Sequence, residues 1–278
     1  MVNSQLNSDC EQCYGLCCVA LPYAKSADFK WNKESGVPCP NLGEDHRCGI
    51  HNKLRAEGFQ GCVSYECFGA GQHVSKVLYP DSHWRENAEI GRQMFTVFPI
   101  VQQLHEMLYY LTQALAHERT HPIKNDLQHA INELTDLTVR SPSEIISLDV
   151  PAHRAGVNQL LLQTSELIRK EDMQRNKSRK LRKDYLGANL KGADLRGMNF
   201  RGMLLIAANL RDADLRRADF IGADLRDADL SGANLTGCIF LTQAQVNSAK
   251  GNERTRLPEY VQMPQHWLGS DSKKARMS

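Results

Sequence analysis

The chain has 278 residues, 41% of them hydrophobic and 24% charged, and a formal net charge of +2. That length provides for two or three compact units with cores of their own, and the near-neutral balance implies neither a nucleic-acid binder nor an acidic mimic of nucleic acid. Met1 to Asp9 is polar, and no later stretch has the apolar length needed to span a bilayer, so a soluble cytoplasmic protein without membrane attachment is expected.

Eight of the nine cysteines precede residue 68. In a reducing compartment such clustering favours metal ligation over disulfides. Cys10-x-x-Cys13-x-x-x-Cys17-Cys18 has the spacing of ligands, and Gly15 gives the loop freedom to fold back around an ion. Cys39, Cys48, Cys62 and Cys67 form a second set, so eight sulfurs suffice for two sites. So many thiols favour zinc, with an iron–sulfur cluster as the alternative, over magnesium or calcium. His46, His51 and His73 are expected as surface or hydrogen-bonded residues rather than ligands. Adjacent Cys17 and Cys18 cannot easily chelate one tetrahedral ion together, which leaves one of them for a second metal or for thiol chemistry. A structural zinc knot is the favoured reading, because a segment with few large apolar residues needs a staple.

The order of these cysteines resembles the YkgJ-type family, whose domain is described as zinc- or iron-chelating. The resemblance covers about the first seventy residues and carries onto Cys10, Cys13, Cys17, Cys18, Cys39, Cys48 and Cys62. It reaches Cys67 across a segment where the family has Arg-Pro and this chain has Leu54 to Gly61. The expected domain is 1–79.

After Pro80 the pattern becomes helical. Ile90, Met94, Val97, Val101, Leu104, Leu108, Leu111 and Leu115 alternate in steps of four and three, the seam of a long helix. Pro99 inside that seam predicts a kink or two helices in series. Leu127, Ile131 and Leu134 mark a second helix, Ser141-Pro142-Ser143-Glu144 an N-cap with proline at the first position, and Val157 to Ile168 a last helix entered near Pro151. An antiparallel bundle over 80–182 is expected, with Tyr109, Tyr110 and the histidines 105, 117, 121 and 129 as core and surface residues. Eight basic residues between Arg169 and Lys183 give that run a net +6. It is read as a solvated helix end and linker, since no aromatic interleaves it for nucleic-acid contact.

From Lys183 to Thr242 the chain repeats every five residues, in twelve units such as Ala193-Asp194-Leu195-Arg196-Gly197. Five matches neither a helix nor a flat strand, so each unit turns one corner. The central residues are Leu throughout except Tyr185, Phe200, Phe220 and Phe240, and the three Phe stand twenty residues apart. Four units per turn would stack them in one column of a filled interior. The small residue two places earlier, usually Ala, points inward beside them, and Cys238 takes such a place. Asp or Asn between the two bonds its own backbone at the corner.

This stretch resembles the pentapeptide-repeat proteins, whose fold is a right-handed quadrilateral β-helix. Their best-known activity is gyrase binding by negative, DNA-like rods that confer quinolone resistance. Here the outward Lys191, Arg196, Arg201, Arg211, Arg216 and Arg226 offset the acids, and 184–242 carries a net −1. Three turns, about 15 Å at sheet spacing, with so little charge argue against DNA gyrase as a partner. The coil is expected over 183–243 and a cap over 244–278: a short helix ending at Gly251, an extended segment from Leu257 to Trp267 laid over the base, and disorder after Leu268. No nucleophile–base pair, phosphate loop or acid pair stands out. The sequence therefore points to a mixed α and β, multidomain, non-enzymatic binding or scaffold protein with an unnamed protein partner. An iron–sulfur or thiol redox role is the rival, and a DNA-mimic gyrase binder the third reading.

Overall fold

The structure is a computed structural model that describes residues 4–176 and 184–268. It divides into two compact units, Met1–Leu162 and Gln163–Ser278.

In the first unit, α1 (Leu16–Ala20), α2 (Gln60–Val63) and α3 (Ala70–His73, extended by one π-helical turn over Val74–Leu78) are short. Two isolated antiparallel bridges, Tyr23 with Lys33 and Leu42 with Cys48, tie the loops between α1 and α2. The segment has too few apolar residues for a core of its own. Leu16, Ala20, Ala70 and Val74 instead pack with Met94, Val97, Phe98 and Val101 of α4 (Ala88–Ala116).

Helix α4 starts where the Asn87 side chain accepts hydrogen bonds from the amides of Glu89 at 2.8 Å and Ile90 at 3.3 Å. The seam read from the sequence is its buried face: Met94, Val97, Val101, Leu104, Leu108 and Leu111 are all enclosed. Of the two outcomes expected at Pro99, two helices in series is not what forms: the helix continues through it as one element of 29 residues. The ring removes one main-chain bond, while Val97, Phe98 and Val101 on either side hold that stretch in the core. Helices α5 (Lys124–Thr138) and α6 (Pro142–Ile146) pack against α4. The α6 capping box is the one read from the sequence, with the Glu144 carboxylate accepting from the Ser141 amide at 3.0 Å.

His105 is buried on α4, and its Nδ1 donates to the Phe68 carbonyl at 2.8 Å. Burial, then the neighbouring His73, lowers its pKa to about 4. The unfolded value is about 6.5, so the stability tied to neutral His105 is complete above that pH and is lost as pH falls towards 4. The loss amounts to on the order of 3 kcal/mol. Urea titrations between pH 7 and 4 should show a steeper decline for the native protein than for a His105→Gln variant; equal slopes would refute the assignment.

In the second unit the chain coils, and parallel bridges join residues twenty apart: Asn189 to Asn209 to Asp229, Asp194 to Asp214 to Asn234, and Asn199 to Asp219 to Ile239. Each five-residue repeat contributes one bridging residue rather than a strand. Leu190 donates to Asn209 at 2.8 Å while Asn209 donates to Ala188 at 2.9 Å, and the same exchange recurs one coil on. Every fifth residue from 187 to 237 has positive φ, which turns the corner. Glycine fills most of these places without strain, whereas Ala207, Asp212, Arg217 and Asp227 adopt the same conformation with side chains. The corner Asp and Asn behave as expected: Asp194, Asn199, Asp214 and Asp224 each accept from the amide two residues on, at 3.1–3.3 Å.

Inside the coil Phe200, Phe220 and Phe240 are fully enclosed, and the rings of Phe200 and Phe220 stack with centroids 5.4 Å apart. Ala208, Ala213, Ala218, Ala228, Ala233 and Cys238 fill the small inward places. Outside, arginines lie along the coil and bond to its acids, Arg216 to Asp214 at 2.6 Å and Arg226 to Asp224 at 2.7 Å.

Three sequence expectations change here. Arg169 and Asp172, read as part of a solvated basic run, are buried on α7 (Val150–Asn176). Arg169 Nε donates to the Gly197 carbonyl at 2.9 Å, and Asp172 pairs with Arg217 at 2.7 Å. A Cβ on Gly197 would come within 2.4 Å of Asp172 Cβ, so the missing side chain is what lets the helix approach. The rest of the run, 177–183, lies outside the described residues, as do 269–278, where disorder was expected. At the far end α8 (Gln243–Ser248) is capped by Thr242 and Gln245 and stops at Ala249, before the expected glycine. Gly251 instead makes room for the Trp267 ring, whose carbons a Cβ there would meet at 2.4–2.7 Å. Residues 265–267 form a short 3-10 turn rather than an extended end, with Trp267 buried in the coil's core.

Candidate functional site

The cysteine loops are positioned by local geometry. The Asp9 carboxylate accepts from the Glu11 amide at 2.9 Å and starts the turn Cys10–Gln12. Gly15, at φ +69°, then reverses the chain into α1, and a Cβ there would meet Leu42 at 2.7 Å. Cys17 and Cys18 follow on α1, their sulfurs 4.0 Å apart.

The structure brings the eight candidate residues into two neighbouring sets. Cys10, Cys13 and Cys67 form the first. A Cβ on Gly71 would lie 2.6 Å from Cys13 Sγ and 3.9 Å from Cys67 Sγ, so both sulfurs border one small space. Ser8 Oγ is 2.9 Å from Cys67 Sγ, and its hydroxyl also reaches the Glu66 carboxylate. Cys17 stands between this set and the next, its sulfur 4.0 Å from Cys18 Sγ, with Tyr65 close to Cys67, Cys17 and Cys13.

Cys18, Cys39, Cys48 and Cys62 form the second set. The thiols of Cys18 and Cys48 are hydrogen-bonded. The Cys39 amide donates to the Cys18 carbonyl at 2.9 Å, and the Tyr23 hydroxyl donates to Cys39 Sγ at 3.4 Å. Cys62 lies close enough to Cys39 and Cys48 for their charges to oppose its own. Cys238, the ninth, sits apart in the coil.

All nine thiols are free. Among the described residues no three Cys, His, Asp or Glu side chains close around one point as ligands of a single ion would. Burial raises the Cys13 thiol to about 11, and burial with Cys39 and Cys48 raises Cys62 to about 11. Cys18 and Cys48 are pushed up as well, chiefly by hydrogen bonds to their thiol neighbours, Cys17 and Cys18 respectively. Each ionised sulfur makes the next harder to ionise; a cation among them would reverse that order.

The histidines take other partners. His73 Nε2 donates to the Thr138 carbonyl at 2.8 Å, His51 is exposed, and His46 packs with Tyr14, His83 and Trp84 at 5.2–5.8 Å between ring centroids. Ser8, Tyr23 and Tyr65 touch or face the sulfurs without any signal in the sequence. They are ordinary polar residues until the loops close.

With both units described, the repeat region defines a pentapeptide-repeat protein: the family of pentapeptide repeats matches in eight copies at residues 187–220 and 204–240. Over 268 residues, 96% of each chain, the protein is 58% identical to "Uncharacterized protein YybG" of Bacillus subtilis (strain 168), and it belongs to that family. A solved structure, alr5209, a pentapeptide repeat protein from Nostoc Pcc 7120, is 30% identical over 36% of this chain and 90% of that one, with a TM-score of 0.16. Among the described residues no helix is long and apolar enough to cross a membrane.

Proposed function

We propose that this is a non-enzymatic metal-binding protein with a scaffold attached: Met1 to Tyr79 holds zinc through eight cysteines, and the pentapeptide coil presents a surface to a protein partner in the cytoplasm. The observation that carries the reading is the convergence of sulfurs from separate stretches, 10–18, 39, 48 and 62–67, into two adjoining sets. Soft, clustered thiols suit zinc above hard cations. Cys10, Cys13, Cys17 and Cys67 would hold one ion, and Cys18, Cys39, Cys48 and Cys62 the other. The order of the cysteines, similar to that of YkgJ-type domains, supports the same assignment. Bound zinc would supply cross-links between loops that have little apolar packing of their own.

For the coil, the proposal is the right-handed quadrilateral β-helix of its relatives, with four repeats per turn. It is supported by bridges between residues twenty apart and by the Phe200–Phe220 stack. The outer charges pair among themselves, so a DNA-like acidic surface and gyrase binding are not supported.

A second reading, an iron–sulfur or thiol redox site, is favoured by one feature: Cys17 and Cys18 are adjacent in the chain and their sulfurs lie 4.0 Å apart. Elemental analysis and visible spectra of anaerobically purified full-length protein separate the readings. The expected result is colourless protein with about two zinc ions per chain. A brown protein containing iron and acid-labile sulfide would establish the iron–sulfur form of the second reading, and metal-free folded protein with all thiols titratable would overturn both metal readings and leave only thiol redox chemistry.

A further inference from the structure

The segment ending at Asp9 is clamped to α3 beside two thiols. Gln72 Nε2 donates to the Asn7 carbonyl at 2.7 Å, and its Oε1 accepts from the Asp9 amide at 3.1 Å. Gly69 permits the approach, since a Cβ there would overlap the Gln5 carbonyl oxygen. Glu66 is fixed in turn: its carboxylate accepts from the Phe68 amide at 3.1 Å and its carbonyl from Gln102 Nε2 at 3.3 Å. The clamp places Ser8 between Glu66 and Cys67. The Ser8 hydroxyl donates to the Glu66 carboxylate, and a hydroxyl has one proton to give. Ser8 Oγ, 2.9 Å from Cys67 Sγ, is therefore the acceptor there and the Cys67 thiol the donor.

Cys13 borders the same small space, kept open by Gly71: a Cβ at that glycine would stand 2.6 Å from Cys13 Sγ and 3.9 Å from Cys67 Sγ. Both thiols are free and partly exposed, and Ser8 beside them is open to solvent, so a small molecule can reach them. A bond between Cys13 and Cys67 would form in the Gly71 space and needs no unwinding of a helix. Cys17 and Cys18 differ in this respect. Their sulfurs are 4.0 Å apart, but they are neighbours on α1, where Cα atoms about 3.8 Å apart fall below the range that disulfides take.

We propose that Cys67 and Cys13 form a dithiol that reduces the disulfide of a small thiol compound, with Cys67 attacking and Cys13 resolving; this rests on the thiol redox reading above. Cys67 Sγ bonds to one sulfur of the substrate, the substrate's S–S bond breaks, and the Cys67 proton passes by way of Ser8 to the departing thiol. Cys13 Sγ then bonds to Cys67 Sγ and expels the second substrate thiol, which takes the Cys13 proton. Two protein thiols are oxidised to one disulfide, and the substrate disulfide is reduced to two thiols.

Oxidised glutathione is the probe, added to reduced full-length protein under anaerobic conditions and quenched by alkylation for peptide mapping. Mass spectrometry should find the Cys13–Cys67 link before any other. Cys13→Ser should stop at a mixed disulfide on Cys67, whereas Cys67→Ser should form neither that adduct nor the link. Ser8→Ala should slow the first step by about tenfold or more, and Ser8→Thr, which keeps the hydroxyl, should stay within about threefold of native. Native protein whose thiols all resist the probe would overturn the thiol redox reading itself. A first link between other cysteines would overturn this inference alone, as would a Cys13→Ser variant that carries its adduct elsewhere. Ser8→Ala exchanging at the native rate would remove Ser8 from the proton path. Mapping the native protein needs no variant, so the pair is tested even where a substitution prevents folding.

Discussion

Phe220→Asp should unfold the coil and leave the first unit folded. Phe220 is fully enclosed, stacked on Phe200, in an interior only one side chain deep per repeat. Removing the ring costs about 3–5 kcal/mol, and a carboxylate left in that apolar space adds several more. A solenoid shares its stability between neighbouring coils, so a break in the middle coil separates the outer two. Whole domains hold only about 5–15 kcal/mol, which makes loss of the coil the expected outcome. Differential scanning calorimetry should show one transition missing, and limited proteolysis should leave a fragment covering the cysteines and α4–α6. Collapse of both units together would mean that they do not fold independently.

Trp267→Ala should have the next largest effect. The indole is 1% exposed, its Nε1 donates to the Ala249 carbonyl at 3.2 Å, and its face rests on Gly251. Truncation costs about 3–5 kcal/mol by burial alone, equivalent to a fall of more than about 10 °C in the melting temperature of a unit this size. It also frees the tail that continues the bridges, Lys250 beside Asp229 and Arg256 beside Asn234. With those loosened, the last coil presents unpaired amides and carbonyls, an invitation to edge-to-edge association. Light scattering should therefore rise with concentration in the variant. A melting temperature within a few degrees of native would show that the indole is dispensable to the cap.

The repeat could be read before folding because its signal is redundant. Phe200, Phe220 and Phe240 set the pitch, the alanines set the small places, and the Asp or Asn between each small residue and its Leu or Phe sets the corner. What was not legible depends on pairs distant in the chain. Arg169 and Asp172 looked like members of a charged run because Gly197 and Arg217, their partners, follow 28 and 45 residues later. Pro99 leaves open in the sequence whether the helix bends or divides, and burial of Val97, Phe98 and Val101 on both sides of it favours a single element. Gly251 reads as a helix terminator in the sequence, whereas its role is to admit an aromatic ring from sixteen positions on. In the candidate site the sulfurs are visible and their neighbours are not, since Cys67 returns to Cys13 while Cys48 meets Cys18 and Cys62 lies near Cys39 and Cys48. Lys33, buried with its Nζ donating to the Val19 carbonyl at 2.8 Å, gives no signal at all, as a lysine in a polar loop reads as surface.

The pairing of α7 with Gly197 and Arg217 limits how the coil can change in length. These two residues occupy one corner because they are twenty apart, so inserting a single pentapeptide between them would carry Arg217 to the next side and strand Asp172 in a dry contact. Inserting four would restore the alignment. Growth or shrinkage of the coil under that helix is thus quantised in whole turns, whereas beyond Arg217 single repeats meet no such constraint from Asp172.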